Sequence, residues 1–471
     1  MDNFRLQRLR LSISDRRSLL ILGDFIVSIA ALVVALIIWA TGSDEWLGFS
    51  LAFFRERVAL WFYLLPIAWI LLLAEVYDVN RAANMQTTIQ GVASAAGMGL
   101  MLYLVIYFAS SNPLPRIGVA VFLIGSFLLT LLWRYVYIRV FTKTEFLRRV
   151  LIIGAGKAGQ TILDILNEIT PTPFNLIGLI DDDPEKLNMI VNGYPVIASS
   201  DQLFEILEKE QVSEIIVAIS GEMKGSTFQT LLDVQESGVT ITRMPVAYEQ
   251  LLHRVPIKVL EADWILRSFV DQFRTDRFFA FTKRLMDIIG GLLGVLFLVV
   301  ILPIVGLAII LDDGLPLFYT QTRLGRGGQP FNIIKFRTMR KDAEASGRPL
   351  LAKEDDERAT RAGRILRKTH IDEIPQFINV LRGEMSVVGP RSERPSLVDH
   401  YHRRIPFYRA RLLVKPGATG WAQVNFGYAG NIEDTIVKLE YDLYYIKHRS
   451  ILLDILTILR TPGTMFGMRG Q

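Results

Sequence analysis

The chain contains the stretch Arg367-Lys-Thr-His-Ile-Asp-Glu-Ile-Pro-Gln-Phe-Ile-Asn-Val-Leu-Arg-Gly383, in which two adjacent carboxylates, Asp372 and Glu373, lie among basic residues. Its apolar residues recur at helical spacing, and this predicts a helix over about 370–382 with one buried face. Thr369, with Asp372 three residues later, resembles an N-cap followed by an acid. The acid pair would then lie in the first turn, where free backbone amides favour anions and phosphates. Acids at a helix start are also ordinary capping residues, so the rest of the chain must decide between capping and chemistry.

Composition limits the class of protein. A chain of 471 residues is too long for one hydrophobic core and predicts two or three domains. Its hydrophobic share of 51% and mean hydropathy of +0.32 are unusual for a soluble protein of this size. The absence of cysteine excludes disulfides and thiolate metal sites, and the five histidines show no His-x-x-x-His spacing. Any metal site should therefore use oxygen ligands.

The first third of the chain carries membrane signals. A basic N-terminus is followed by an apolar run, Ser18 to Ala40. This run is too long for a signal-peptide core, so it predicts a membrane span. Three more spans are predicted at Ala59 to Val76, Thr88 to Ala109 and Ile117 to Val140. Acidic residues at 44–45 and basic residues at 143–149 indicate four spans with both ends in the cytoplasm.

A glycine-rich turn follows the fourth predicted span. A short apolar strand, 150–153, precedes a G-x-G-x-x-G pattern formed by Gly154, Gly156 and Gly159, and a helical pattern comes next. A second strand, Leu176 to Ile180, ends at Asp181, about where a dinucleotide-binding fold has its ribose-binding acid. We therefore predict a Rossmann-like α/β domain over 146–250 that could hold a nucleotide or dinucleotide. The same glycines can instead serve only helix–strand packing.

A second kind of apolar stretch runs from Ile288 to Leu311 and is long enough to cross a bilayer. Basic residues flank both of its ends, which places both flanks in the cytoplasm; they are Lys283, Arg284, Arg323, Arg326, Lys335 and Arg337. Pro303 interrupts the middle and should kink a helix there. A broken, re-entrant helix over about 285–311 fits these features. The alternative is a fifth span with the remaining chain outside.

The last third contains four polar clusters that each carry a cation, and three of them also contain glycine, proline or an acid pair. They are Lys335 to Met339, Arg367 to Gln376, Gly383 to Pro395 and Lys415 to Asn425. Guanidinium forks and closely approaching backbone can hold a multiply charged phosphate. Within such a ring one carboxylate could attack phosphorus, while the other holds a hard cation such as Mg²⁺. Each cluster taken alone could be a structural turn.

Four segments together resemble the bacterial monotopic polyprenyl-phosphate phosphoglycosyl transferases. They are Asp372-Glu-Ile-Pro-Gln-Phe377, Ser386-Val-Val-Gly-Pro-Arg391, Lys415-Pro-Gly-Ala-Thr-Gly-Trp-Ala-Gln423 and Tyr441-Asp-Leu-Tyr-Tyr-Ile-Lys447. The order of the chain is similar to the large subclass that primes exopolysaccharide, capsule or O-antigen synthesis. The resemblance implies a four-helix transmembrane bundle over 1–145, the Rossmann-like domain over 146–250, a linker over 251–281 and a catalytic α/β domain over 282–471.

The family implies that a UDP-sugar, glucose or galactose, and undecaprenyl phosphate give undecaprenyl-diphosphate-sugar and UMP. Asp372 would be the nucleophile that forms a phosphosugar ester, and Glu373 with Asp372 would hold Mg²⁺. The residues expected at substrate phosphates are Arg367, Arg391, Lys415, Lys335 and Arg337, and those expected at the start and kink of the membrane helix are Lys283, Arg284, Asp287 and Pro303. Two positions depart from the family pattern, because Leu302 precedes Pro303 where the family has serine, and Ser392 replaces a proline.

The resemblance further implies the bacterial inner membrane and a catalytic domain on its cytoplasmic face. The N-terminal helix bundle is compatible with a homodimer, and nucleic acid is not an expected partner. One alternative is a membrane-anchored NAD-dependent nucleotide-sugar dehydratase or epimerase. That class needs a Tyr-x-x-x-Lys motif, and none of the fifteen tyrosines here has lysine at that spacing. A second alternative is a ligand-sensing membrane scaffold that uses the Gly154–Gly159 domain.

Overall fold

The computed structural model describes residues 11–42, 49–109, 115–143, 146–219, 221, 223–259, 277–340, 358–427 and 431–465. The charged loop at 44–45, most of the linker over 251–281 and the polar loop over 342–357 lie outside these residues. The chain divides into two compact units, Met1–Ala247 and Tyr248–Gln471, and each is described by itself.

The first unit begins with helices whose lengths and apolar composition suit a membrane. They are α1 (Ile13–Thr41), α2 (Leu51–Glu56), α3 (Leu65–Leu72), α4 (Val79–Ala82), α5 (Met85–Ala109) and α6 (Arg116–Phe141). Four stretches could cross a membrane by length and composition, namely Ile13–Thr41, Leu60–Tyr77, Met85–Phe108 and Arg116–Phe141. Each of the four predicted spans therefore corresponds to a stretch that is long and apolar enough to cross a membrane. The second is not a uniform helix, because 3₁₀ turns at Leu60–Leu64 and Leu73–Tyr77 flank α3.

Helices α1 and α6 are joined by a buried ion pair. Arg134 Nη2 lies 2.5 Å from Asp24 Oδ2, and both side chains are fully buried. Arg134 also donates to the carbonyl oxygen of Val76 at 3.3 Å, where the 3₁₀ turn after α3 ends. Gly23 leaves room for the Trp133 ring, since a Cβ there would lie 2.1 Å from it. Ionisable groups inside a membrane bundle usually face its interior and pair in this way.

The second part of this unit is an α/β domain with a six-stranded sheet in the order β3-β4-β2-β1-β5-β6. Its elements are β1 (Arg149–Ile153), α7 (Lys157–Glu168), β2 (Asn175–Ile180), β3 (Ile190–Val191), β4 (Tyr194–Ala198), α8 (Leu203–Glu210), β5 (Glu214–Val217), α9 (Gly225–Glu236) and β6 (Thr240–Arg243). All neighbouring strands pair in parallel except β3 with β4. Strand β1 is apolar and almost fully buried, as a central strand of a parallel sheet must be. The α/β domain expected from the sequence is thus present.

Helix α10 (Met244–Leu252) follows the sheet and runs across the boundary between the two units. The second unit then contains a 37-residue helix, α11 (Arg277–Asp313), in which Pro303 lies inside the helix and does not end it. The remaining elements are β7 (Phe318–Leu324), β8 (Pro330–Phe336), α12 (Arg361–Lys368), α13 (Phe377–Arg382), β9 (Ser386–Val388), α14 (Pro395–His402), β10 (Gly417–Thr419), α15 (Trp421–Asn425), α16 (Ile432–Lys447) and α17 (Ile451–Met465). Helix α11 has the length and composition of a membrane helix.

Both ends of α11 contact the rest of this unit. Near its start, Asp287 accepts hydrogen bonds from the Ser386 hydroxyl at 2.7 Å and from the backbone amide of Val387 at 2.9 Å. Farther along, Gly294 makes room for the ring of Phe377, because a Cβ there would overlap it. At its end, Arg337 donates to the carbonyl oxygen of Asp313 at 2.9 Å. The helix is therefore anchored to strands and helices of the same unit along its length.

Glycines allow the backbones of two of the sequence motifs, Ser386 to Arg391 and Lys415 to Gln423, to approach each other closely. Strands β9 and β10 pair in parallel, and a Cβ on Gly417 would lie 2.1 Å from the backbone nitrogen of Gly389. A Cβ on Gly389 would lie 2.4 Å from the carbonyl oxygen of Lys415. The glycines in these two motifs are therefore required by backbone contact.

Candidate active site

The acid pair lies in a short 3₁₀ helix, Ile371–Gln376, that leads directly into α13. Its start differs from the prediction. Thr369 ends α12 rather than capping the next helix, and its hydroxyl donates to the carbonyl oxygens of Ile365 and Leu366. His370 then reverses the chain with a φ of 54°. The predicted N-cap was wrong because Thr-x-x-Asp is a local pattern, whereas the chain reversal at His370 decides where the helix begins.

Glu373 is the carboxylate that forms ion pairs with the cations of the site. Lys335 Nζ lies 2.7 Å from its Oε1, while Arg391 Nη2 and Nη1 lie 2.6 Å from Oε1 and 3.2 Å from Oε2. Lys335 comes from β8, and Arg391 comes from the turn after β9. Burial would raise the pKa of Glu373, but Arg391 and Lys335 outweigh it and hold that pKa well below its usual value. Glu373 is thus ionised, and it fixes two cations beside its neighbour.

Asp372 has the opposite environment. It is 8% exposed, and its carboxylate has no hydrogen-bond or ion-pair partner among the residues that the structure describes. Burial, together with the neighbouring Glu373, raises its pKa to about 6, against the opposing effect of Lys335, Arg391 and Arg367. A desolvated carboxylate without strong hydrogen bonds has lone pairs available for reaction. The two acids therefore differ in a way that suits two roles.

A buried network holds Arg391 in place. Arg411 Nη2 donates to the carbonyl oxygen of Arg391 at 3.0 Å, and Arg323 Nη1 donates to that of Ser392 at 3.1 Å. Glu393 lies between cations, 3.3 Å from Lys438 and 3.6 Å from Arg411. Because Ser392 contributes its carbonyl group here, a serine can replace the proline that is usual in the family pattern. In the sequence, only the charged residues of the motif pointed to this network.

Asn379 connects the two elements that carry the site. Its Oδ1 accepts from the backbone amide of Ile334 at 3.1 Å, and its Nδ2 donates to the carbonyl oxygen of Asn332 at 2.8 Å and to Glu384 at 2.7 Å. It is fully buried. Asn379 therefore ties α13 to β8, from which Lys335 reaches Glu373. The helical pattern did not single it out.

The cations predicted at substrate phosphates fall into two groups. Lys335, Arg391 and Arg367 lie at the acid pair, where each lowers the pKa of Asp372. Arg337 is buried at the end of α11, where it donates to the backbone of Asp313 and Gly314. Lys415 lies beside Gly383, which follows α13, whereas the acid pair precedes that helix. The structure thus gathers three of the five at the acids.

The residues predicted at the start of the membrane helix hold it to the unit. Lys283 Nζ lies 2.8 Å from Asp454 and donates to the carbonyl oxygen of Val388 at 3.0 Å. Arg284 donates to the carbonyl oxygens of Val380 and Leu381 at 2.9 and 2.8 Å. These contacts fix where α11 leaves the unit.

The acid pair can be tested as a Mg²⁺ site by its free lone pairs. Glu373 Oε1 accepts from Lys335 and Arg391, and its Oε2 accepts only from Arg391 among the described residues. The carboxylate of Asp372 has no partner among those residues. Mg²⁺ usually takes one or two carboxylates and completes its shell with water and substrate phosphates. The described residues contain no group of three acids or histidines suited to a metal. Asp372 and Glu373 therefore fit a Mg²⁺ ion that arrives with phosphate.

The glycine turn of the α/β domain has mainly structural contacts. A Cβ on Gly154, whose φ is 107°, would lie 2.6 Å from the carbonyl oxygen of Ala218, and one on Gly159 would lie 2.1 Å from that of Gly154. Asp181 accepts from the backbone amide of Ala155 at 2.7 Å and from Lys186 at 3.1 Å. Gly156 has open space around its Cβ position. Packing thus explains Gly154 and Gly159, while Gly156 is the position where a ligand could approach.

Two family descriptions match the sequence. Residues 278–468 match the family described as bacterial sugar transferase, and residues 72–245 match the one described as CoA-binding domain. The first match covers every residue described at the acid pair.

Three relatives have names that describe an activity. A UDP-N-acetylgalactosamine-undecaprenyl-phosphate N-acetylgalactosaminephosphotransferase of Aeromonas hydrophila is 43% identical, over 41% of this chain and 46% of its own length. UDP-glucose:undecaprenyl-phosphate glucose-1-phosphate transferases of Xanthomonas campestris pv. campestris and Caulobacter vibrioides are 29% and 42% identical. The match to the Xanthomonas protein covers 68% of this chain and 67% of that protein, and the match to the Caulobacter protein covers 39% of this chain and 69% of that protein. The chain thus spans about half of the Aeromonas relative and about two thirds of the other two.

Proposed function

Because the chain belongs to the bacterial sugar transferase family, we propose that it transfers a sugar-1-phosphate from a UDP-sugar to undecaprenyl phosphate. The names of its relatives, the apolar helices and the acid pair beside three cations support this reaction. The dehydratase or epimerase alternative has no support from the family matches. The pathway is the first membrane step of exopolysaccharide, capsule or O-antigen synthesis.

The proposal rests on the different environments of the two acids, because Glu373 forms ion pairs and Asp372 has none among the described residues. An oxygen of Asp372 attacks the sugar-bearing phosphorus, a P–O ester forms, and the bond to the bridging oxygen breaks, so that UMP leaves with that oxygen. An oxygen of undecaprenyl phosphate then attacks the same phosphorus, and the bond to Asp372 breaks. Both steps keep the charge balanced, because each incoming oxygen replaces an outgoing one. Glu373 is less suited to attack, since the ion pairs with Arg391 and Lys335 hold its pKa well below its usual value and make its oxygens weaker nucleophiles.

The cations act on the substrate phosphates. Lys335, Arg391 and Arg367 surround the acids, and guanidinium forks suit phosphate oxygens. Glu373 keeps Lys335 and Arg391 in position before substrate arrives. Mg²⁺, held by Asp372 and Glu373 together with the phosphates, would neutralise charge on the departing UMP. Preorganised charge of this kind lowers the barrier without reorganisation during the reaction.

Helix α11 is proposed to be re-entrant, with the catalytic unit on the cytoplasmic face of the inner membrane. A straight helix of this length would measure about 55 Å, and the apolar core of a bilayer is only about 30 Å thick. Asp287, about three turns into α11, and Asp313, its last residue, both bind the same unit, and this supports a topology with both ends on one side. The natural absence of cysteine makes the test direct: a single cysteine at exposed Arg403 should resist impermeant reagents in intact spheroplasts and react in inverted vesicles. Labelling from outside would exclude this topology.

Three further parts of the proposal concern partners. The sugar is glucose or galactose, the chain forms a homodimer, and the Rossmann-like domain binds a nucleotide near Gly156. The Xanthomonas and Caulobacter relatives support glucose by name, whereas the Aeromonas relative is named for N-acetylgalactosamine.

The deciding experiment supplies purified protein with undecaprenyl phosphate and a panel of UDP-sugars. UMP release together with a lipid-diphosphate-sugar product, seen by mass spectrometry, is the expected result for one hexose. UMP release without the lipid product would reduce the activity to hydrolysis, and no release with any UDP-sugar would exclude the proposed reaction.

A further inference from the structure

Four cations gather at the start of α11, away from the acid pair. This cationic corner consists of Arg284, Arg326, Lys415 and Arg449. A Cβ on Gly383 would lie 3.6 Å from both Arg284 Nη2 and Lys415 Nζ, so these two groups flank the same point. The Lys415 ammonium has no hydrogen-bond or ion-pair partner among the described residues. Lysine held against a second cation without an acid of its own is an unfavourable arrangement.

Arg326 is exposed in the turn between β7 and β8, and its charge acts on both Lys415 and Arg449. Burial and the neighbouring Arg284 lower the pKa of Lys415, and Arg326 and Lys283 add to this effect while Asp287 opposes it. Burial likewise lowers the pKa of Arg449, with Arg326 contributing and Tyr445 and Asp454 opposing. Like charges therefore repel one another at this corner.

The nearby acids are already bound elsewhere. Asp287 accepts from Ser386 and Val387, and Asp454 pairs with Lys283 and accepts from Tyr445. Neither makes a contact with Lys415 or Arg326 that would neutralise the corner. An external anion would relieve the repulsion.

The surroundings of the corner are those of a bilayer surface. The first turns of α11 expose Phe278 (73%) and Phe281 (67%), and α17 exposes Leu452 (52%). Arg449 lies over the ring of Phe279, with 5.9 Å from its guanidinium carbon to the ring centroid. Aromatic side chains beside cations at the start of an apolar helix are typical of the level of the lipid headgroups.

We propose that the cationic corner binds the phosphate of an anionic phospholipid of the surrounding bilayer. Lysine as a point charge and arginine as a fork both suit phosphate oxygens. Arg284 links the corner to the C-terminal end of α13, and the acid pair precedes that helix. The site is therefore separate from the one at which UDP-sugar reacts, and it would hold the catalytic unit at a fixed height on the leaflet. Its phosphate comes from bulk lipid and not from the acceptor substrate.

The test measures lipid binding to the full-length protein in detergent by native mass spectrometry. Phosphatidylglycerol and phosphatidylcholine are titrated against the wild-type chain and the variant Arg326→Gln/Lys415→Gln. Each basic residue near an anionic bilayer contributes about a fivefold factor, so the double variant should bind phosphatidylglycerol about 25-fold more weakly. Phosphatidylcholine binding should not change, since its headgroup carries no net charge.

Two controls keep the outcome interpretable. Lys209→Gln/Lys224→Gln removes two exposed lysines from the α/β domain and should leave phosphatidylglycerol binding unchanged. Arg326→Lys/Lys415→Arg keeps both charges and should also bind as the wild type does. Unchanged phosphatidylglycerol binding by the glutamine variant would overturn the proposal. So would a raised KM for undecaprenyl phosphate with unchanged phosphatidylglycerol binding, because the corner would then belong to the acceptor.

Discussion

Asp372 and Glu373 are neighbours in one turn of 3₁₀ helix, yet the ion pairs with Lys335 and Arg391 are made by Glu373 and leave Asp372 unpaired among the described residues. Arg391 and Lys335 therefore stabilise the ionised form of Glu373, whereas burial disfavours the ionised form of Asp372. Divergent environments for paired carboxylates are how one site assigns two roles. The assignment leads to tests of each role.

Replacing Asp372 with asparagine should abolish UMP release, because the amide keeps the shape of the side chain but cannot attack phosphorus. Turnover by Asp372→Asn should fall at least about 1000-fold, as loss of a nucleophile does. Intact-protein mass spectrometry with UDP-sugar alone should show a sugar-phosphate adduct on the wild type and none on the variant. Asp399→Asn, which alters an exposed acid on α14, is the matched control and should retain activity. Wild-type turnover by Asp372→Asn would remove the residue from the chemistry.

The pH dependence of the reaction should report the raised pKa of Asp372. Attack needs the ionised form, so with a pKa of about 6 the rate should fall as the pH drops through 6 and be about tenfold lower at pH 5 than on the plateau. Lys335 lowers this pKa, and Lys335→Met should therefore move the acid limb to higher pH in addition to slowing the reaction. An acid limb near pH 4 in both proteins would mean that Asp372 titrates like an exposed aspartate.

Chelation should test the metal assignment. EDTA should stop UMP release, and added Mg²⁺ should restore it, because the acid pair offers oxygen ligands that fit an ion brought with phosphate. Glu373→Gln should need a higher Mg²⁺ concentration for half-maximal rate, which a purely structural residue would not change. Full activity in EDTA would exclude a metal-binding role for Glu373, and its ion pairs to Lys335 and Arg391 would then be its only function in the site.

Asn379→Ala should destabilise the second unit by about 2 kcal/mol or more, since it leaves the amide of Ile334 and the carbonyl of Asn332 without their buried partner. Thermal unfolding of the full-length protein in detergent would measure the loss. Gln235→Ala, at an exposed position of α9, is the control. Lys335 should lose its fixed position as well, so kcat/KM should fall even at temperatures where the variant is folded. An unchanged unfolding temperature would contradict the role given to Asn379.

The sequence predicted what local patterns determine. Apolar runs gave the four spans, and the strand–glycine–helix pattern gave the α/β domain. It could not give β9 and β10, because strands of three residues have no readable period. The placement of Lys415 away from the acids depends on the crossing at Gly389 and Gly417, which is a tertiary contact. Asn379 and the network around Glu393 are equally tertiary, so they become visible only once the chain is folded.

The buried ion pair in the membrane bundle should behave as a unit. Arg134→Met alone leaves the carboxylate of Asp24 buried and unpaired, and such a change should cost about 3–5 kcal/mol. The double variant Asp24→Asn/Arg134→Met removes both charges and should recover most of that loss, because neither side chain then needs a charged partner. Thermal unfolding in detergent and the yield from membranes would measure both effects, and Arg139→Met, on an exposed side of α6, is the control. Helices α1 and α6 are joined by this ion pair. An Arg134→Met variant as stable as the wild type would show that water reaches Asp24. Apolar packing, and not the ion pair, would then hold the two helices together.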